Sequence, residues 1–85
     1  MLNVYNYYIY SMNEEVLRIA TDFQKSIQER VDSLLEMDAN MYTNLGSDST
    51  KAEKLQVKKN SKFIYRTIKG IDEYTGNLLL KHLDK

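Results

Sequence analysis

Apolar residues recur every three or four positions along most of this chain, which is the spacing of amphipathic helices. The first run follows Ser11, which stands three residues before Glu14 as the serine of a capping box does. We place the end of this run at Gly46, because glycine is the commonest residue just after a helix C-terminus. The pattern predicts a first helix at residues 12–45. Its apolar positions are Val16, Ala20, Phe23, Ile27, Leu34, Met37 and Met41, widened by Val31, Leu35 and Leu45.

A second run begins after a polar loop at residues 46–50. Thr50 and Glu53 repeat the capping-box spacing at its start, so we expect a second helix at residues 51–83. The chain contains no proline, which favours long uninterrupted helices. The apolar stripe of this helix runs through Val57, Ser61, Ile64, Ile68, Ile71, Thr75, Leu78 and His82.

Two glycines lie inside the second predicted helix. Gly70 and Gly76 each cost up to about 1 kcal/mol relative to alanine in a helix interior. A kink, or a break into a third short helix between them, is therefore an alternative to a continuous helix. Asp72 stands between the two glycines and is a suitable N-cap for such a restart.

Two helices of similar length joined by a short loop favour an all-α fold, an antiparallel helical hairpin within one small domain at residues 1–85. A lone hairpin has one apolar seam, and the absence of cysteine excludes disulfides and cysteine-ligated zinc as stabilisers. We therefore expect self-association into a bundle, with a homodimer as the default. Arg30 and Asp38 fall on or near the seam, where polar residues often set register or partner choice.

The N-terminal segment, residues 1–11, is rich in tyrosine. Its aromatic and β-branched content suits a strand, whereas its apolar residues also step by three and four as in a helix. We expect it to pack on the domain or on a neighbouring subunit, and a tyrosine-rich ligand platform is the alternative. The tyrosines are Tyr5, Tyr7, Tyr8 and Tyr10.

Charge divides along the chain although twelve basic and twelve acidic residues give a net charge of zero. Residues 12–45 hold seven acids and three bases, and residues 47–69 hold two acids and seven bases. In the simplest hairpin register, Glu29 comes level with Arg66 and Glu36 with Lys59, so some pairing along the flanks is expected.

Six of the twelve basic residues share a helical arc of about 120° on the second helix. We call this set the basic stripe. It is interpreted either as a solvated or subunit-assembly surface, or as a nucleic-acid-binding surface on which Tyr65 could stack on a base. The basic stripe consists of Lys51, Lys54, Lys58, Lys62, Arg66 and Lys69.

No motif for catalysis, metal binding, cofactor binding or phosphate binding accompanies the basic stripe, and no small-molecule substrate is evident. His82 is best explained as a helix-end residue, and a base–orienter pair with Asp84 lacks a nucleophile. No apolar run is long enough to span a membrane. The sequence therefore predicts a cytoplasmic, non-catalytic, oligomerising interaction or adaptor protein, with a nucleic-acid-binding accessory protein as the alternative.

Overall fold

The computed structural model describes residues 13–83, and within them the only regular secondary structure is helical. The helices are α1 at residues 13–20, α2 at Ile27–Thr43, α3 at Lys51–Ile71 and α4 at Glu73–Leu83. The all-α fold class is therefore confirmed, whereas the expectation of two long helices is wrong. The tyrosine-rich segment at residues 1–11 lies outside the described residues.

The predicted first helix is divided by a turn at residues 21–26. Ser26 has extended backbone dihedral angles (φ −67°, ψ 163°) and caps α2 by accepting a hydrogen bond of 3.1 Å from the Glu29 amide. The Glu29 carboxylate in turn accepts from the Ser26 amide at 3.4 Å. The Ser26–Glu29 capping box can be recognised in the sequence. It starts a new helix at this point although the apolar periodicity continues through it.

Arg30 fixes the turn between α1 and α2. Its guanidinium donates to the Ala20 carbonyl at 3.1 Å and to the Lys25 carbonyl at 3.2 Å, so it satisfies an acceptor at the end of α1. It also lies 5.3 Å from the centre of the Phe23 ring. Arg30 was expected near the helix–helix seam, and the structure shows that it stabilises the turn between α1 and α2 instead.

The predicted second helix begins at Lys51, as expected, with Thr50 and Glu53 forming the capping box. It does not continue to residue 83, because the backbone at Asp72 is extended (φ −140°, ψ 95°). The Asp72 carboxylate accepts from the Thr75 amide at 3.3 Å and from its hydroxyl at 2.8 Å. The alternative of a restart capped by Asp72 is therefore confirmed.

Gly76 permits α4 to pack closely on the end of α3. It is buried, and a Cβ atom built on it would overlap the backbone of Lys69. The same atom built on Gly70 would meet nothing within 4 Å. The two glycines therefore differ in kind: Gly76 is required by a close backbone approach, and Gly70 has no such requirement.

The core joins α1, α2 and α3. Helices α2 and α3 run antiparallel, because Asp38 and Tyr42 both contact Ser61 while Asp38 also contacts Tyr65 one turn further along α3. Phe23 and Ile27, predicted for the apolar stripe, lie at the α1–α2 turn and are exposed instead. Among residues 13–83, the buried apolar side chains of this core are Val16, Val31, Leu34, Ile64 and Ile68.

Candidate functional site

The basic stripe lies on the solvent-facing side of α3. Its side chains are exposed except for Lys62, which is half-buried. From Lys51 to Lys69 the stripe extends for about 27 Å at the usual rise per residue. It therefore forms a long, narrow and accessible cationic surface.

These cations have no acidic partner among residues 13–83. The ion pair in this part of the chain joins Arg18 to Glu15 on α1, and no basic-stripe side chain reaches a described carboxylate within 4.0 Å. Helix α3 carries seven bases and one acid, Glu53, which is engaged in the helix cap. The charge of the stripe is thus left for solvent, counterions or a partner to balance.

The flank pairs expected from the simplest hairpin register do not form. Asp38 lies level with residues 61–65, which places Glu29, nine residues earlier on α2, level with the junction of α3 and α4. Glu29 is therefore more than one helical turn from the level of Arg66, and Glu36 is similarly displaced from Lys59. The register follows from the Asp38 contacts, which the sequence did not reveal.

An apolar side chain sits beside the basic stripe. Leu55 is 53% exposed and lines a shallow groove of about 220 Å³ together with Lys58, Lys59 and Lys62. Leu55 was not predicted from the sequence as a surface residue of interest, because it lies off the apolar stripe of α3. Its position among the lysines is the signal that could have identified it.

The outer side of α2 carries the opposite charge. Glu29, Asp32 and Glu36 are exposed, and we call these three residues the α2 acidic face. Asp32 accepts a hydrogen bond of 2.8 Å from the Gln28 amide group. The one base of α2, Arg30, is directed to backbone carbonyls of the preceding turn.

Between α2 and α3 lies a polar cluster of four residues, centred on the buried side chains of Asp38 and Ser61. Asp38 is 6% exposed and Ser61 is fully buried, and the Ser61 hydroxyl donates to the Asp38 carboxylate. The Tyr65 hydroxyl donates to the other carboxylate oxygen at 2.6 Å. The Tyr42 hydroxyl lies 3.1 Å from Ser61 Oγ, and it must be the donor there because the single serine proton is directed to Asp38. A buried carboxylate is thus held by hydroxyl groups.

Tyr65 was expected within the arc of the basic stripe as a base-stacking residue. The structure places its ring half-buried, with the hydroxyl group on Asp38. Burial raises the pKa of Tyr65 far above its ordinary value, and the hydrogen bond and negative charge of Asp38 raise it further. This geometry assigns Tyr65 a place in the polar cluster, and stacking on a base stays a prediction.

Side chains able to bind a metal are dispersed across residues 13–83. No cluster of three or more histidine, cysteine or carboxylate side chains suited to a metal occurs there. An open groove of about 430 Å³ between the end of α2 and the start of α3 has one titratable group in its lining, the capping Glu53. His82 is exposed, and its suggested partner Asp84 lies outside the described residues.

Comparisons with protein-family models, curated proteins and solved structures found no match to this chain. Among the described helices, none combines the length and the hydropathy needed to cross a membrane. The exposed surfaces of residues 13–83 are therefore the basis for inferring what this protein does.

Proposed function

We propose that this protein is a non-catalytic interaction protein that works as a self-associating helical adaptor. The observation that carries the proposal is the imbalance between its buried and exposed apolar side chains. Five apolar side chains are fully or almost fully buried in residues 13–83, whereas seven large apolar residues are exposed. The exposed residues are Leu17, Phe23, Ile27, Tyr42, Leu55, Tyr74 and Leu78.

A small core and exposed apolar side chains favour association for the same physical reason. A short chain buries a limited fraction of its surface, so a second copy adds burial that one copy lacks. Three of the exposed residues, Leu17, Phe23 and Ile27, fall within eleven positions around the α1–α2 turn, and Phe23 is 80% exposed. These exposed side chains provide apolar area that a second copy of the chain can bury.

Sedimentation velocity of the full chain over a hundredfold range of concentration tests the proposal. We expect the mass to rise toward a multiple of 10.0 kDa, with a homodimer as the simplest product. A mass that stays at 10.0 kDa throughout contradicts self-association.

A second candidate, a nucleic-acid-binding accessory protein, is favoured by the unpaired cations of the basic stripe. Each lysine that neutralises a phosphate adds up to about 0.9 to the slope of log affinity against log salt. Replacing Lys54 and Lys58 by glutamine should therefore lower the slope by up to about 2 for a duplex oligonucleotide. Replacing Lys25 and Lys81, which lie outside the basic stripe, is the matched control. Fluorescence anisotropy measures both, and equal slopes for the two variants contradict this candidate.

A further inference from the structure

The α2 acidic face and the first half of the basic stripe have the same spacing. Glu29, Asp32 and Glu36 follow one another at steps of three and four residues, and so do Lys51, Lys54 and Lys58. Each trio therefore covers an arc of about 60° and a length of about 10 Å on its helix. Three carboxylates and three ammonium groups thus form two surfaces of the same dimensions and opposite charge.

Neither trio meets its complement within one copy of the chain. Both are exposed, and no member of either forms an ion pair with a residue in the range 13–83. The buried contacts of α2 and α3 explain this, since Asp38 fixes the two helices through Ser61 and Tyr65 and leaves the charged sides pointing outward. A protomer therefore presents two complementary surfaces that cannot close on each other.

We propose that the α2 acidic face of one copy docks on Lys51, Lys54 and Lys58 of a second copy. This inference rests on the proposed self-association and names the surfaces that direct it. Leu55 lies beside this half of the stripe and is half-exposed, so the contact also gains apolar burial. Complementary charge sets the partner and the orientation, and apolar contact supplies affinity.

Charge reversal in two separate variants tests the docking. One variant carries Lys54→Glu and Lys58→Glu, and the other carries Asp32→Lys and Glu36→Lys. Glu29 is left unchanged because it caps α2. Each variant alone brings like charges together, so we expect self-association to weaken about tenfold or more. In an equimolar mixture, each docking contact again joins a trio of net negative charge to a trio of net positive charge, so the mixture should recover the wild-type mass in sedimentation.

Controls of equal net charge separate docking from general repulsion. The pair Lys25→Glu and Lys81→Glu matches the first variant, and the pair Glu14→Lys and Asp48→Lys matches the second, at exposed positions outside both trios. These controls should associate as the wild type does. Circular dichroism verifies that all four variants keep the helical content of the wild type.

The outcomes distinguish this inference from the proposed function. A wild-type oligomer that both reversals dissociate and their mixture restores supports the docking. A wild-type oligomer unchanged by the reversals overturns the docking and leaves self-association standing. A wild-type protein that stays monomeric overturns both the docking and the proposed self-association. If its mass rises only when an oligonucleotide is added, both are overturned in favour of nucleic-acid binding.

Discussion

Polar residues on the inner side of the α2–α3 pair differ from those on its outer side in burial and in hydrogen bonding. Inside, Asp38 is almost completely buried, and both of its carboxylate oxygens accept hydrogen bonds from α3. Outside, the carboxylates of the α2 acidic face are exposed, as are the cations of the basic stripe except the half-buried Lys62, and none of them forms an ion pair among residues 13–83. The inner cluster thus fixes how the two helices fit together, and the outer charges are available to a partner.

The contrast follows from solvation. A buried carboxylate loses its hydration, so every hydrogen bond to it is needed and its partners are fixed. An exposed lysine keeps its hydration, so an ion pair with it contributes little to stability. Changes to the inner cluster should therefore alter folding strongly, and changes to the outer charges should alter association with little effect on folding.

The largest effect is expected from removing both α3 donors to Asp38. The double change Ser61→Ala with Tyr65→Phe leaves a buried carboxylate without α3 hydroxyl donors, and should lower the free energy of unfolding by about 3–5 kcal/mol. Urea unfolding at one fixed protein concentration measures the loss. Adding Asp38→Leu removes the buried charge that has lost its α3 donors, and should recover part of the lost free energy of unfolding. A loss below about 1 kcal/mol would show that the cluster does not hold the helices together.

Gly70 and Gly76, the two glycines of the predicted second helix, allow an exposed position to be compared with a buried one. Gly76→Ala forces a methyl group into the backbone of Lys69 and should destabilise the fold by about 1–3 kcal/mol. Gly70→Ala has open space and should stabilise it by up to about 1 kcal/mol through helix propensity. Thermal unfolding compares the two, and equal midpoints would contradict the close packing of α4 on α3.

Alkaline pH should weaken the inner cluster selectively. The pKa of Tyr65 is raised in the folded state by burial, so the unfolded chain releases this proton first. The contribution of Tyr65 is fully present below the ordinary tyrosine pKa of about 10 and is lost as pH rises above it. Urea midpoints between pH 8 and 11 should fall less steeply for Tyr65→Phe than for the wild type. Tyr74→Phe, at an exposed ring, is the control and should follow the wild type.

The smallest effect on folding is expected at the outer surface. Replacing Lys54 and Lys58 by glutamine should change the free energy of unfolding by no more than about 0.5 kcal/mol, because both side chains are exposed and unpaired within the described residues. Urea unfolding at a concentration where the wild type is monomeric checks this. A loss comparable with that of the Ser61 and Tyr65 variant would erase the distinction between the inner and outer sides.

Local signals in the sequence identified much of the fold. The start of α3 was predicted from Thr50 and Glu53, and the restart after Asp72 was foreseen as an alternative. The break before α2 was not, although Ser26 and Glu29 have the same spacing. Apolar periodicity crosses that point without interruption, and periodicity alone cannot show that a capping box interrupts it.

The candidate surfaces could be predicted in part, because the residues that share a helix face follow from local spacing in the sequence. Residues three and four apart share a helix face whatever the tertiary structure, so the membership of the basic stripe follows from the sequence. The exposure of Leu55 and the role of Tyr42 depend on which side of each helix meets its neighbour. Those features appeared only once the helices were packed.

The sequence by itself determined where α3 begins, which residues share a helix face, and that the two charge signs lie in different segments, because these properties depend on neighbours a few positions away. The tertiary structure decided that Arg30 closes α1, that Asp38 meets Ser61 and Tyr65, and that the expected flank ion pairs do not form. These results depend on contacts between residues ten or more positions apart. Their register is set by the burial of particular side chains, which a local pattern does not specify.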